Sequence, residues 1–361
     1  MPNFTTPDGE LTDLFITDAD ILDRYVGNQL WMWGCNGDPF GFVFFGSLGN
    51  NVSEYYRSSP VQTVSGGTNW KQVTSAPLSA AAIKTDGRLW TWGFNGYGIL
   101  GDNTTGSKSS PVQTIATGTN WASLLVGATI GAIKTDGRLW TWGHNSSGTC
   151  GDNTTGSKSS PVQTIAQGTN WKQVAVGTYG GIGIDSHMAA IKTDGTLWTW
   201  GYNGYGQLGR NNTTNSSSPV QTIAQGTNWK QVACGGVTTS AIKTDGTLWS
   251  WGSNGQGQLG DNTTVNKSSP VQTIAQGTNW KQCSIGGSYA GAIKTDGRLW
   301  MWGDNGYWGQ LGTNNNTSKS SPVQTVAIGT NWKTVSVFSY SGAPSAGNYY
   351  PLTAAVTYTE S

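Results

Sequence analysis

The apolar and polar positions of this chain alternate in short stretches, and the whole pattern starts again about every fifty residues. One unit contains NWKQVAVG, with apolar residues at alternate places, then AAIKT, the tight turn T-D-G, and LWTWG. Alternation with a period of two is typical of half-buried β-strands, and Asp-Gly favours a hairpin turn. A long loop rich in glycine and asparagine then leads to PVQTI, whose proline suits a strand start or an edge strand. Each unit is therefore predicted to hold four strands, named A to D below.

Three motifs mark the repeat, and each occurs six times: LWxWG, SPVQT and GTNW. The stretch 101–116 is repeated letter for letter at 151–166. A single four-stranded unit cannot bury both of its faces, whereas units stacked around an axis bury each other. The repeat therefore predicts an all-β fold, a six-bladed β-propeller of four-stranded antiparallel blades.

The two ends of the chain are predicted to share one blade. The first repeat begins at strand C, near residue 28, and the last stops after strands A and B, near residue 358. A composite blade of N- and C-terminal strands would close the ring and leave residues 1–27 as a separate arm. The propeller would occupy 28–361, with its blades at about 70–115, 121–165, 171–223, 229–274, 280–326, and 332–358 plus 28–64.

Composition supports many strands and turns and argues against several classes of partner. The chain has 53 glycines and 19 tryptophans among 361 residues, and only 11% of its residues are charged. No run of about 18 apolar residues is present, which argues against membrane insertion. The net charge is +1 and no basic block exceeds two residues, which argues against nucleic acid as a partner. No secretory signal is recognised at the start of the sequence.

The stretch AAIKTDGTLWTWGYNGYGQLG, which begins at residue 189, resembles the regulator of chromosome condensation repeat family. The resemblance covers roughly residues 28–358 and implies a propeller in which each repeat is one blade. Eukaryotic members act as nucleotide exchange factors on a small GTPase, and some dock on chromatin. Their exchange-factor loop and basic tail have no visible counterpart here, so no functional residue is carried over. The Trp-rich, nearly identical repeats look more like bacterial and phage members, which in phages occur among particle proteins.

Function is expected where the repeat is broken, because loops on a rigid scaffold commonly carry binding sites. The connections at 34–57, 177–188 and 338–352 are longer than their counterparts, and one further loop holds an inserted tryptophan. All four departures are A–B or C–D connections, which should leave the blades on one face. The candidate binding residues on that face are Phe40, Phe42, Phe44, Phe45, Tyr55, Tyr56, Tyr179, Asp185, His187, Trp308, Tyr340, Tyr349 and Tyr350. The alternative for the phenylalanines is that they pack beneath their own loop.

The remaining residues indicate scaffold rather than chemistry. Eighteen of the 19 tryptophans belong to LWxWG or GTNW and are expected to pack the blades. No nucleophile elbow, phosphate loop or HExxH motif is present, so no enzyme activity, cofactor or catalytic residue is predicted. The cysteines form no CxxC pair, which argues against a metal site. The N-terminal arm holds six acidic residues but lacks the glycine and closing glutamate of a calcium loop, and docking on the propeller or on a partner is the preferred role.

These observations predict a non-enzymatic binding or structural propeller. The leading hypothesis is a phage particle protein, from the tail, capsid decoration or attachment apparatus, that binds another particle protein or a host surface glycan. It would lie in the virion or another extracellular assembly. The alternative is a cytoplasmic interaction hub or a guanine-nucleotide-exchange-like protein, as in the eukaryotic relatives. A lectin or a hydrolase is a third possibility.

Overall fold

The computed structural model describes residues 30–35, 46–52, 56–64, 69–76, 78–116, 118–166, 168–177, 185–274, 277–306, 309–327, 329–341 and 349–357. These residues form 24 β-strands and no helix. The prediction of an all-β chain is therefore confirmed for the described part. No segment of that part offers a helix of the length and apolar character needed to span a bilayer.

Five complete blades account for twenty of these strands, and each blade follows the predicted order A to D. Blade one comprises β3 (Trp70–Ser75), β4 (Ser79–Lys84), β5 (Leu89–Gly93) and β6 (Lys108–Gln113). Blade two comprises β7 (Trp121–Val126), β8 (Thr129–Lys134), β9 (Leu139–Gly143) and β10 (Lys158–Gln163). Blade three comprises β11 (Trp171–Gly177), β12 (His187–Lys192), β13 (Leu197–Gly201) and β14 (Ser216–Gln221). Blade four comprises β15 (Trp229–Cys234), β16 (Thr238–Lys243), β17 (Leu248–Gly252) and β18 (Lys267–Gln272). Blade five comprises β19 (Trp280–Ile285), β20 (Tyr289–Lys294), β21 (Leu299–Gly303) and β22 (Lys319–Gln324).

The remaining four strands form two separate antiparallel pairs. The N-terminal pair is β1 (Trp31–Cys35) with β2 (Tyr56–Gln62), and the C-terminal pair is β23 (Trp332–Ser341) with β24 (Tyr349–Thr357). The described residues show these pairs as separate sheets, so a closed ring of six blades is not shown. Strands β23 and β24 also run further than the sequence predicted, because pairing continues to Ser341 opposite Tyr349. Much of the expected 338–352 loop is thus a strand hairpin.

Adjacent blades pack face to face, and the apolar side of each strand explains why. Ile242 and Leu248 of blade four lie in one buried cluster with Trp280, Cys283 and Trp302 of blade five. The same positions in the other blades build equivalent clusters, so each blade buries the face of its neighbour. The apolar core therefore lies between sheets, as expected for units that cannot bury both faces alone.

In blades three and four, a glutamine in strand A ties that strand to strand A of the next blade. The Gln231 amide Nε2 donates to the carbonyl oxygen of Cys283 at 3.3 Å, and the Cys283 N–H donates to Gln231 Oε1 at 3.0 Å. Gln173 makes the same pair of bonds to Val232. Strands A of these successive blades thus lie side by side, and strand A is the edge of each sheet nearest the next blade's strand A.

Candidate functional site

Each blade presents two faces with different connections. In blade one, the Phe94 N–H at the start of the C–D connection donates to Leu78 O in the A–B connection at 2.8 Å. At the other end of the sheets, the Trp121 N–H that opens strand A of blade two donates to Gly87 O in the B–C turn at 3.1 Å. We call the first end the loop face and the second the turn face. This arrangement matches the expectation that A–B and C–D connections share one side.

A buried asparagine organises the C–D connection of each of the five complete blades. Asn254 is fully buried, and its Nδ2 donates to the carbonyl oxygens of Thr263 at 3.1 Å and Val265 at 3.2 Å. Its Oδ1 accepts the N–H of Leu259 at 2.9 Å. Asn95, Asn145, Asn203 and Asn305 make equivalent bonds. Because one side chain satisfies both arms of the loop, these long connections are held in one conformation.

Two groups of aromatic residues lie on this ordered part of the loop face, one spanning blades one and two and the other in blade three. Phe94 and Tyr97 meet edge to face with ring centroids 5.9 Å apart, and Tyr97 meets the imidazole of His144 at 4.6 Å. Tyr202 and Tyr205 form a similar pair, 6.4 Å apart. The four phenyl and phenol rings are half-buried, so each keeps some surface for a ligand. We refer to these five residues as the aromatic patch.

Electrostatics couple the patch to one residue that the sequence singled out. Burial lowers the pKa of His144, and the nearby Asp185 carboxylate raises it in part. Burial in turn raises the pKa of Asp185, and His144 opposes that shift. The imidazole is therefore neutral at neutral pH, beside a carboxylate contributed by the lengthened A–B connection of blade three.

His187 lies elsewhere than predicted. Its side chain is fully buried at the start of β12, and its Nε2 lies 2.9 Å from Thr239 Oγ1 of blade four. Burial lowers the pKa of His187 to about 3, so the ring is neutral and packs between blades. No part of the ring reaches solvent in this conformation, so its predicted contact with a ligand on the loop face finds no support here and stays a prediction.

The other predicted binding residues stay predictions. Asp185 is half-buried on the loop face, as expected. Four tyrosines lie in described strands, but their side chains are outside the described residues: Tyr56, Tyr340, Tyr349 and Tyr350. The backbone register does place Tyr340 directly opposite Tyr350. The others fall wholly outside the described residues: Phe40, Phe42, Phe44, Phe45, Tyr55, Tyr179 and Trp308.

The turn face carries a repeated feature that the sequence pattern did not single out. The Lys192 ammonium lies 4.8 Å from the ring centre of Trp171 and 4.5 Å from that of Trp198. Four other blades hold the same arrangement, with Lys84, Lys134, Lys243 and Lys294 between their own tryptophans. The fixed order of NW, IK and LW in each repeat is the signal that could have revealed this cation–π cage.

The described residues show no grouped metal ligands, and three of their cysteine thiols are buried or partly buried. No three of their His, Cys, Asp and Glu side chains are grouped as metal ligands. Cys150, Cys234 and Cys283 are unpaired thiols, and burial raises the pKa of each, to about 12 for Cys283. Such thiols stay protonated at neutral pH and are poor nucleophiles.

Solved structures of other proteins are similar to this chain. The crystal structure of human WBSCR16 matches with a TM-score of 0.72 at 20% identity, over 91% of this chain and 82% of that one. Yeast RCC1 (Prp20), solved bound to Kap60, matches with a TM-score of 0.68 at 15% identity, over 93% and 82%. At these identities the likeness shows the fold alone.

Sequence comparisons extend the likeness to named relatives. The ultraviolet-B receptor UVR8 of Arabidopsis thaliana is 30% identical over 311 residues, which are 85% of this chain and 56% of that protein. The mitochondrial RCC1 domain-containing protein RUG3 of the same plant is 27% identical over 297 residues, 77% of this chain and 62% of that protein. The chain thus spans little more than half the length of these relatives. They do not support the expected closeness to bacterial or phage members.

A family model described as the RCC1-like domain matches residues 29–345, which confirms the resemblance seen in the repeats. With five blades of the expected order in place and the match spanning all of them, the chain belongs to the family of RCC1-like domains.

Proposed function

We propose that this chain is a non-enzymatic binding protein that holds a protein partner against the aromatic patch of its loop face. The observation that carries the proposal is the patch itself. Tyrosine gives a large contact area at a small cost in conformational entropy, and aromatic residues dominate the binding energy of many protein interfaces. The Asn254-type networks hold the surrounding loops, so little further order is lost on binding.

The experiment compares affinity capture by the full chain and by two variants. The patch variant carries Tyr97→Ala and Tyr205→Ala, and the matched control carries Ile165→Ala and Ile223→Ala, which truncate half-exposed apolar residues beyond strand D. We expect proteins retained by the native chain and the control to be lost from the patch variant. With the partner purified, calorimetry should show a roughly 30-fold weaker Kd for the patch variant, the effect of about 2 kcal/mol at a hot spot. Equal retention by all three chains would refute the proposal.

The identity of the partner separates the remaining alternatives. A small GTPase recovered in this capture would favour the exchange-factor role of eukaryotic relatives. The phage-particle hypothesis, with a particle protein or a host glycan as ligand and a virion or extracellular location, finds no support among the relatives. It stays a prediction, and a structural particle protein or glycan in the capture would revive it.

We also infer that the two strand pairs combine into the sixth blade. Leu30 packs on Trp70, Ala80 and Ala82 of blade one, whereas Val335 and Val337 pack on Tyr289 of blade five. The N-terminal pair thus packs beside blade one and the C-terminal pair beside blade five, each in the position of half a further blade. Transferring the register of β20 and β21 to β24 and β1 sets Ala354 opposite Met32, as Gly291 lies opposite Met301.

A designed disulfide tests this closure. Met32→Cys with Ala354→Cys should oxidise to a disulfide, since directly opposed residues lie within the Cα separation that a disulfide needs. The control, Leu30→Cys with Ala354→Cys, is two residues out of register and should not form a disulfide. Peptide mapping by mass spectrometry measures both. Equal yields, or none for the matched pair, would contradict the closed ring.

A further inference from the structure

Charge is segregated between the two faces of the propeller. Among the described residues, the turn face holds ten lysines and three arginines against five aspartates, a net charge of +8. The described loop-face connections and the strand ends beside them hold four lysines and two arginines against five aspartates, a net charge of +1. The whole chain has a net charge of only +1. A surface of one sign attracts segments of the opposite sign over several ångströms.

Five exposed lysines follow the inner edge of the turn face, and we call them the lysine row. Each is the second residue of strand A and the extra residue of a bulge, as where Trp229 pairs with Lys243 and Gln231 with Ile242. A bulge residue has no cross-strand partner, which leaves its side chain free to extend into solvent. None of the five makes an ion pair with a described residue. The row consists of Lys71, Lys172, Lys230, Lys281 and Lys333.

The chain itself supplies a segment of opposite charge that joins the fold at this face. Residues 1–27 contain six carboxylates and one arginine, a net charge of −5. They lead into Leu30, whose carbonyl oxygen accepts the Thr63 N–H at 3.2 Å, as Leu89 accepts that of Thr114. Leu89 follows the B–C turn directly, so Leu30 occupies the corresponding place at the turn face. The acidic segment therefore starts from the face that carries the lysines.

We propose that residues 8–23 lie across the lysine row and cover it. The acidic stretch is 16 residues long, so fully extended it spans at most about 55 Å. A folded chain of 361 residues has a radius of gyration of about 21 Å, so the segment can reach every lysine of the row. The contact is electrostatic and lies apart from the aromatic patch, so it stands or falls independently of the proposed function.

Carbodiimide cross-linking of the full chain tests this contact, because the reagent joins carboxylates and amines that touch. Links from Asp8, Asp13, Asp18 or Asp23 to the lysine row are expected at low salt, with Asp152 to Lys158, 2.9 Å apart, as an internal standard. In 1 M NaCl their yield should fall about tenfold, since the Debye length there is about 3 Å. The variant Lys172→Gln, Lys230→Gln, Lys281→Gln removes three positive charges from the row. It should lower the yield of cross-links at the two remaining lysines, Lys71 and Lys333.

A control of equal charge change separates this contact from a general effect. The variant Thr105→Glu, Thr155→Glu, Thr213→Glu alters exposed positions of the C–D loops and should leave the yield unchanged. A mixture of unlabelled and ¹⁵N-labelled chains should give links within one chain only. Links confined to mixed pairs would assign the row to the arm of a second copy and overturn the proposal. So would an absence of links at the row while Asp152 still links to Lys158.

Discussion

Replacing Trp200 by phenylalanine tests the contact that joins successive blades most directly. The Trp200 ring is fully buried, and its Nε1 donates to the carbonyl oxygen of Thr149 in the preceding blade at 2.7 Å. The ring also packs against Gly151, whose positive φ of 64° and close approach leave no room for a Cβ. Trp92, Trp142, Trp251 and Trp302 make the same bond.

Two costs add up in Trp200→Phe. The Thr149 carbonyl loses its donor in a buried place, which costs about 1–3 kcal/mol. The smaller ring leaves a void of about 40 Å³, which at about 24 cal/mol per Å³ costs about 1 kcal/mol more. We therefore expect the free energy of unfolding to fall by about 2–4 kcal/mol.

Trp198→Phe is the matched control, because it makes the same change two residues away on the same strand. Trp198 is half-buried, and its Nε1 donates to Thr196 Oγ1 at 2.9 Å near the surface, where water can replace it. This variant should lose less than about 1 kcal/mol. Urea unfolding followed by far-ultraviolet circular dichroism measures both, since fluorescence would average over 19 tryptophans. Equal losses in the two variants would refute the assignment of the Thr149 bond as an inter-blade tie.

Three further substitutions test the scaffold. Gln231→Met removes both hydrogen bonds to Cys283 and should lower the free energy of unfolding by about 1–3 kcal/mol, as measured by urea titration. The control Gln225→Met changes an exposed position of the D–A connection and should leave this free energy unchanged. Asn254→Ala removes the acceptor of the Leu259 N–H, so this amide should exchange its hydrogen much faster than the Leu208 N–H, which keeps its bond to Asn203. Equal exchange at the two amides would contradict the role of the buried asparagine. Burial lowers the pKa of His187 to about 3, so between about pH 3 and 6.5 this imidazole is protonated in the unfolded chain but neutral in the folded one. The free energy of unfolding should therefore fall on acidification through this range, by up to about 1.4 kcal/mol per pH unit. His187→Thr, which copies Thr129 and Thr238 at this position, should remove that slope; an unchanged slope would assign it to other groups.

Much of the fold could be read from the repeat, because the period-two alternation, the Asp-Gly turns and the paired tryptophans are local signals. Strand order A to D in five blades follows from them. The site was harder to predict. Asp185 lies on the expected face, yet His187, two residues later, is fully buried. Whether a side chain at a strand start points to solvent or into the neighbouring blade depends on sheet packing, which the repeat pattern alone does not show.

The sequence by itself determined the repeat, the strands and the membership in a family of propellers, since each depends on residues close together in the chain. Only the tertiary structure decided which side chains share a face. Phe94, Tyr97 and His144 come from two blades, and Asp185 from a third. The lysine row likewise joins residues about fifty to a hundred positions apart. Contacts between blades depend on how whole sheets stack, so the patch and the charged face emerge only when the blades are placed side by side.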